Sequence, residues 1–137
     1  MMPALSGIDH IHVFVADRSQ AQAQAWYADT LGLTPVAALA SWSKDPEGPL
    51  IIADTSRSVC LSLFERQPER CRSTIALGVT ADAFLQWRTH LQRHLETPPK
   101  LVDHQLSWSL YFSDPDGNPF EITCYDYATL AADLATG

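Results

Sequence analysis

The sequence predicts an α+β chain made of two tandem copies of a β-α-β-β-β unit. Short runs of period-two hydrophobicity are bounded by Pro, Gly, Asp and Ser clusters, two stretches carry the helical period, and the order strand, helix, three strands occurs twice in 137 residues. Repeats of this size often build arrays, which need about three or more units to be stable. Two units imply instead a paired, pseudo-symmetric domain in which each module's apolar face is completed by the other.

The first copy opens with HIHVFVA at residues 10–16, where Ile11, Val13 and Val15 alternate onto one face. Asp17 and Ser19 give an N-terminal signal for a helix running to about Leu31, and Gly32 stands where a helix C′ residue belongs. LTPVAALA, PLIIAD and VCLSLFE then read as three short strands. After the polar linker RQPERCRS, TIALGV at 74–79 restarts the order, and Thr80 caps a helix whose Phe84, Trp87, Leu91 and Leu95 form one apolar stripe. The prolines of ETPPK end that helix, and KLVDH, WSLYFSD and NPFEITCYD supply three more strands. Module one spans about 8–66 and module two about 73–127 of a single domain covering 1–137.

A hydrophobic content of 46% is enough to bury a sizeable core at this length. With 16 acidic against 9 basic residues the net charge is −7, and no Lys/Arg cluster offers a footing for a phosphate backbone, so nucleic acid is excluded as a partner. The opening MMPALSGID lacks the basic and apolar regions of a signal peptide, and no run approaches the roughly 20 apolar residues of a membrane span. A soluble, cytoplasmic protein with no membrane partner is expected. Cys60, Cys71 and Cys124 are odd in number and lack C-x-x-C spacing, which argues for reduced thiols over disulfides or a structural zinc site. No adjacent basic group marks any of them as a nucleophile.

Sorting each strand by alternation gives one apolar face, with Ile11, Val13, Val15, Leu61, Leu63, Leu110, Phe120 and Ile122 among its members. The opposite face carries His10, His12, Phe14, Ser62, Phe64, Thr74, Ser109, Tyr111, Glu121 and Thr123. An open sheet face would be rich in Lys, Glu, Gln and Arg, which are nearly absent here, so a lined cavity fits better than a bare surface. Glu121, set between Phe120 and Ile122, is the outlier: a carboxylate in such a strand needs a partner or must neutralise. The DPDGN turn before it fixes the register that keeps it on this face.

HIHVFVAD, with His10 seven residues before Asp17 and WYADTLGL on the following helix, resembles the opening of the vicinal oxygen chelate superfamily of glyoxalases, bleomycin-resistance proteins and extradiol dioxygenases. YFSDPDGNPFEI resembles its closing signature, and the similarity covers essentially the whole chain. The resemblance implies a curved mixed sheet, a half-barrel around a central cleft with helices on its outer face. It also implies a divalent metal ion (Mn, Fe, Ni or Zn), bound by residues of the first and last strands of each module. Carried over residue by residue, His10 is the first-strand ligand and Glu121 the last-strand ligand. The other two slots hold Thr74, where the family usually has histidine, and Ser62. His12, two residues from His10 on the same face, could rebuild a facial triad.

On this basis Glu121 is a ligand or general base, and Tyr111 a proton donor or ligand-orienting phenol. His12, Phe14, Trp42, Thr74 and Ser109 bind substrate, Trp42 from a loop rich in Pro, Gly and charge. Hydrogen-bonded filler is an equally good account of Tyr111 and Ser109. His90 and His94 have the i, i+4 spacing of a helical metal pair but no third ligand in reach, and read as a solvated face. His104 lies in the loop entering WSLYF.

The leading expectation is a metal-dependent lyase, isomerase, transferase or dioxygenase acting on a small oxygen-chelating substrate. The alternative is a metal-free binding protein that sequesters a small molecule, as bleomycin-resistance members do. Family resemblance further implies a homodimer.

Overall fold

The computed structural model describes residues 2–16, 21–65 and 73–134. The chain divides into two compact units, Met1–Arg70 and Cys71–Gly137. Unit one holds β1 (Ile11–Val15), β2 (Thr34–Pro35), β3 (Leu50–Ala53) and β4 (Cys60–Glu65) in the order β1-β4-β3-β2. Unit two holds β5 (Ile75–Gly78), β6 (Lys100–Asp103), β7 (Trp108–Ser113) and β8 (Pro119–Cys124) in the order β5-β8-β7-β6. In each, the first strand pairs parallel with the last and the remaining pairs are antiparallel. The parallel pair follows from the helical crossover, because a tight turn can only return the chain antiparallel. The sequence repeat is therefore a repeat of topology.

The sorting of faces holds. Val13, Val15, Leu61 and Leu63 are buried in unit one, and Leu110, Phe120, Ile122 and Cys124 in unit two. In unit two this face packs on α1 (Ala81–His94), whose Phe84 and Leu91 are fully buried, while Trp87 and Leu95 reach the core from its edge. Thr80 caps α1 as expected: its Oγ1 accepts from the Ala83 N–H at 3.2 Å. The helix ends at His94, two residues before ETPPK begins and four before its first proline, Pro98. Thr80→Ala should cost about 1 kcal/mol, the usual worth of such a cap, and lower the melting temperature by roughly 3 °C. A thermal melt reads this directly.

Three elements differ from expectation. The first crossover is wound as wide π turns, Ala21–Ala25 and Tyr27–Leu31. This winding keeps residues four apart on one side, and Ala23, Tyr27 and Leu31 are all buried. Gly32 ends it at φ 70°, and its N–H and that of Leu33 bond the Ala28 and Tyr27 carbonyls at 3.1 and 3.0 Å. That is the nested glycine cap widened by one residue to match the π turn. The proposed start signals, Asp17 and Ser19, lie outside the described residues.

LTPVAALA is a strand only at Thr34–Pro35; Ala37–Lys44 is 3₁₀ helix. Alanine favours helical dihedrals, and an Ala-rich run without β-branched residues has little to hold it extended. Gly48 closes the segment after it, where a Cβ would press into the Trp42 carbonyl. Finally, α2 (Tyr127–Leu134) follows β8 where no element was foreseen. It buries Leu130 in the unit-two core and stacks Tyr127 on Trp108 at 5.4 Å between ring centroids. The Trp108 indole N–H donates to the Tyr127 carbonyl at 3.3 Å, and the Tyr127 hydroxyl to Asp103 at 2.8 Å.

Candidate functional site

In unit two the DPDGN turn sets the site. Asp114 Oδ1 accepts from the backbone N–H groups of Asp116 and Asn118 at 2.9 and 2.8 Å, and Gly117 takes φ 85°, a value that suits glycine. This locks Tyr111 opposite Glu121 and Ser109 opposite Thr123 across β7 and β8. On the flanking strands the same rows continue to Ala76 and Gly78, and to Lys100 and Val102.

Glu121 is half-buried, and its partner is at hand. Ser109, fully buried, donates to Glu121 Oε2 at 2.6 Å, the short length of a hydrogen bond to a charged acceptor. The same hydroxyl lies 3.2 Å from Thr123 Oγ1. Burial, and then the negative charge and hydrogen bond of Glu121, push the Tyr111 phenol above its ordinary range, so it is protonated at neutral pH. His104 Nε2 lies 2.9 Å from the Tyr111 hydroxyl, with the His104 tautomer setting which of the two donates. A polar chain thus runs from His104 through Tyr111 to Glu121 and Ser109. It can hold a carboxylate in one orientation and hand it a proton.

In unit one the same face of β1 carries His10 and His12. Their Nε2 atoms are 3.1 Å apart, and Asp9 Oδ2 accepts from His10 Nδ1 at 2.8 Å. His12 also packs on Phe64 with centroids 4.8 Å apart, and Phe14 meets Phe64 edge-on at 6.4 Å. His12 stands opposite Ser62 on β4, as Ala76 stands opposite Glu121 on β8. Two residues before each come His10 and Thr74, so the pairing registers place His10 with Thr74 and Ser62 with Glu121 as equivalent positions of the two modules.

The structure brings together His10, His12 and Phe14 in unit one, and Ser109, Tyr111 and Glu121 in unit two. Thr74 is exposed at the edge of β5. Trp42 is half-exposed on the 3₁₀ segment, and among the described residues no ring contact or side-chain hydrogen bond ties it to the histidines. His94 spends Nδ1 on the His90 carbonyl at 2.9 Å, in keeping with a solvated helix face. Burial, more than the opposing pull of Arg57, pushes the Cys60 thiol up, which fits an inert cysteine. Asp9 and His104 were not among the expected site residues. The i, i+1 spacing of Asp9 and His10 was the available signal for the first, whereas the second depends on a loop whose path follows from Gln105 at φ 69°.

Among the described residues no three His, Cys, Asp or Glu side chains gather as a cation cage. The donors present, imidazole nitrogens in unit one and a carboxylate in unit two, are nonetheless those that Mn, Fe, Ni and Zn accept. No helix among the described residues is long and apolar enough to cross a membrane.

Neither a protein-family profile nor a curated protein matches the sequence. Solved structures do. A glyoxalase-family protein from Bacillus anthracis matches with a TM-score of 0.71 at 21% identity, over 92% of this chain and 100% of that one. The fosfomycin resistance protein FosX from Listeria monocytogenes, complexed with Mn(II) and a sulfate ion, matches with 0.64 at 15% identity, over 96% and 99%. The oxidase ChaP-H2 gives 0.64 at 19% identity, over 90% and 97%. Likeness at these identities is likeness of fold, and together with the repeated strand order it shows that the chain has the duplicated βαβββ fold of the glyoxalase, or vicinal oxygen chelate, superfamily.

Proposed function

We propose that this chain is a divalent-metal-dependent enzyme of the vicinal oxygen chelate type, acting on a small substrate that presents adjacent oxygens. The observation that carries the reading is the Glu121 carboxylate held by Ser109 at 2.6 Å beside a protonated Tyr111, on a sheet of this fold. His10 and Glu121 serve as metal ligands. A bound cation would supply Lewis acidity toward developing negative charge on substrate oxygen. Ser109 fixes the Glu121 rotamer, and Tyr111 donates a proton or orients a substrate oxygen. His12, Phe14, Trp42 and Thr74 line the substrate site. Support comes from FosX, which is seen with Mn(II) and with Mn(II) plus a dihydroxypropylphosphonic acid. The free thiols Cys60 and Cys124 suit a cytoplasmic location, and homodimers are to be checked by sedimentation.

Protein stripped of metal should melt higher on adding Mn(II), Ni(II) or Zn(II). At an ion concentration of about 100 Kd the gain is about 2.7 kcal/mol, or roughly 9 °C for a cooperative chain of this length. Metal analysis of protein purified without chelator should also find the ion in stoichiometric amount. If no divalent ion shifts the melt and none copurifies, the second reading stands instead: a metal-free protein that sequesters a small molecule. Thr74, a poor ligand at a position where histidine was expected, is the residue that favours it.

A further inference from the structure

The first strand of unit one offers a second imidazole beside His10. His10 and His12 lie on one strand face with their Nε2 atoms 3.1 Å apart. Two nitrogens each about 2.1 Å from one cation, at an angle of about 90–110°, stand about 3.0–3.4 Å apart, so the observed spacing is that of a cis pair on a single ion. The rings are tilted by only 20° with centroids 5.0 Å apart, so the nitrogens face each other at their edges. Asp9 bonds His10 Nδ1 at 2.8 Å. That contact places the neutral ring's proton on Nδ1 and its lone pair on Nε2, which is how an outer carboxylate prepares a metal-ligating histidine. Phe64 packs on the His12 ring and limits its swing. His10 keeps 40% of its side chain exposed, leaving the pair open to an ion from solvent.

The register of the two modules sharpens this. Module two carries Thr74 and Ala76 where module one carries His10 and His12. Both imidazoles that the first strands supply are therefore concentrated on β1.

We propose that His12 is the second imidazole ligand of this protein, chelating a divalent cation with His10 through their Nε2 atoms, with Asp9 as the outer carboxylate. The inference rests on the reading above that the chain binds such an ion. Without the ion, His12 Nε2–H donates to the His10 lone pair. On binding, the His12 proton shifts to Nδ1, so both Nε2 lone pairs reach the cation and no net proton is lost.

The test uses the untagged full chain, freed of metal, with Ni(II) titrated by calorimetry and Cu(II) followed by electron paramagnetic resonance. Wild type should show nitrogen coupling from two imidazoles. His12→Ala and His10→Ala should each weaken Ni(II) binding by at least about 10-fold and reduce the coupling to one imidazole, and Asp9→Asn should weaken binding by a smaller factor. His12→Gln, which keeps bulk and polarity on the strand, should behave like His12→Ala, with circular dichroism showing each variant folded. A His12→Ala protein that binds Ni(II) like wild type and keeps its two-nitrogen signal overturns the inference, and if binding is still lost in His10→Ala or Glu121→Ala the proposed function survives it. A wild-type chain that binds neither ion overturns both.

Discussion

Glu121→Ala protein should fold and yet lose its response to divalent ions. The side chain is half-buried, and each group it leaves behind has another partner: Ser109 has Thr123 Oγ1 at 3.2 Å, and Tyr111 has His104 at 2.9 Å. Losing one hydrogen bond to a charged acceptor, partly replaced, should cost no more than about 1–2 kcal/mol. Ion affinity should fall by more than the roughly 10–100-fold that outer-shell changes cost, because a ligand itself is removed. The thermal shift of roughly 9 °C with Mn(II) should then vanish into the error of the melt. If the variant is stabilised by Mn(II) as much as the parent, Glu121 is no ligand.

The same variant has an alkaline signature. Tyr111 is pushed up first by burial and second by the charge of Glu121, so its return toward the ordinary tyrosine range on losing Glu121 should be partial. A phenol raised in the folded state contributes stability that is whole below its unfolded value of about 10 and is lost as pH climbs through the folded one. Glu121→Ala should therefore show phenolate absorbance at lower pH than the parent and a smaller loss of stability above about pH 10.

Most of the fold was legible because the strands here are half-covered sheets, whose period of two is written directly in the chain. Ile11-Val13-Val15 and Phe120-Ile122-Cys124 announce their buried face residue by residue, and the turn chemistry of DPDGN fixes where Glu121 points. What escaped was structure that depends on winding or on tertiary cover. AQAQAWYADTL carries a helical pattern whether it winds as α or π, and the buried set Ala23, Tyr27, Leu31, spaced by four, suits either winding. AALA has no strong preference for strand, and the short 3₁₀ segment takes it. The α2 segment is only eight residues long, too short to show a helical period clearly, and it is fixed by Trp108 stacking on Tyr127, a contact between residues 19 apart in sequence.

The site divides along the same line. Face alternation alone grouped His10 with His12 and Ser109 with Tyr111 and Glu121, and the pairing registers agree. Alternation says nothing of rotamers, however. That His10 and His12 meet at Nε2, that Asp9 holds the far nitrogen, and that His104 closes on Tyr111 are facts of χ angles and loop path. Trp42, an aromatic in a polar loop, stands half-exposed with its own loop around it, and strand alternation has no bearing on where such a side chain points.

Phe84→Ala should produce the largest loss of stability. Phe84 is fully buried where α1 meets the unit-two sheet, in one cluster with Leu91, Leu110, Ile122 and Leu130. Truncation removes the transfer energy of the ring and leaves a cavity walled by strand residues on one side and two helices on the others, surroundings that relax only partly. The expected cost is about 3–5 kcal/mol, against a total of about 5–15 for a natural domain. That corresponds to a fall in melting temperature of roughly 10–17 °C. Leu85→Ala, one residue on and only partly buried against the same cluster, is the matched control and should cost less than half as much. Chemical denaturation of both variants decides the matter. Equal losses, or a Phe84→Ala loss below about 1.5 kcal/mol, would mean that α1 does not seat this face on the sheet, and the support beneath the Glu121 strand would have to be sought elsewhere.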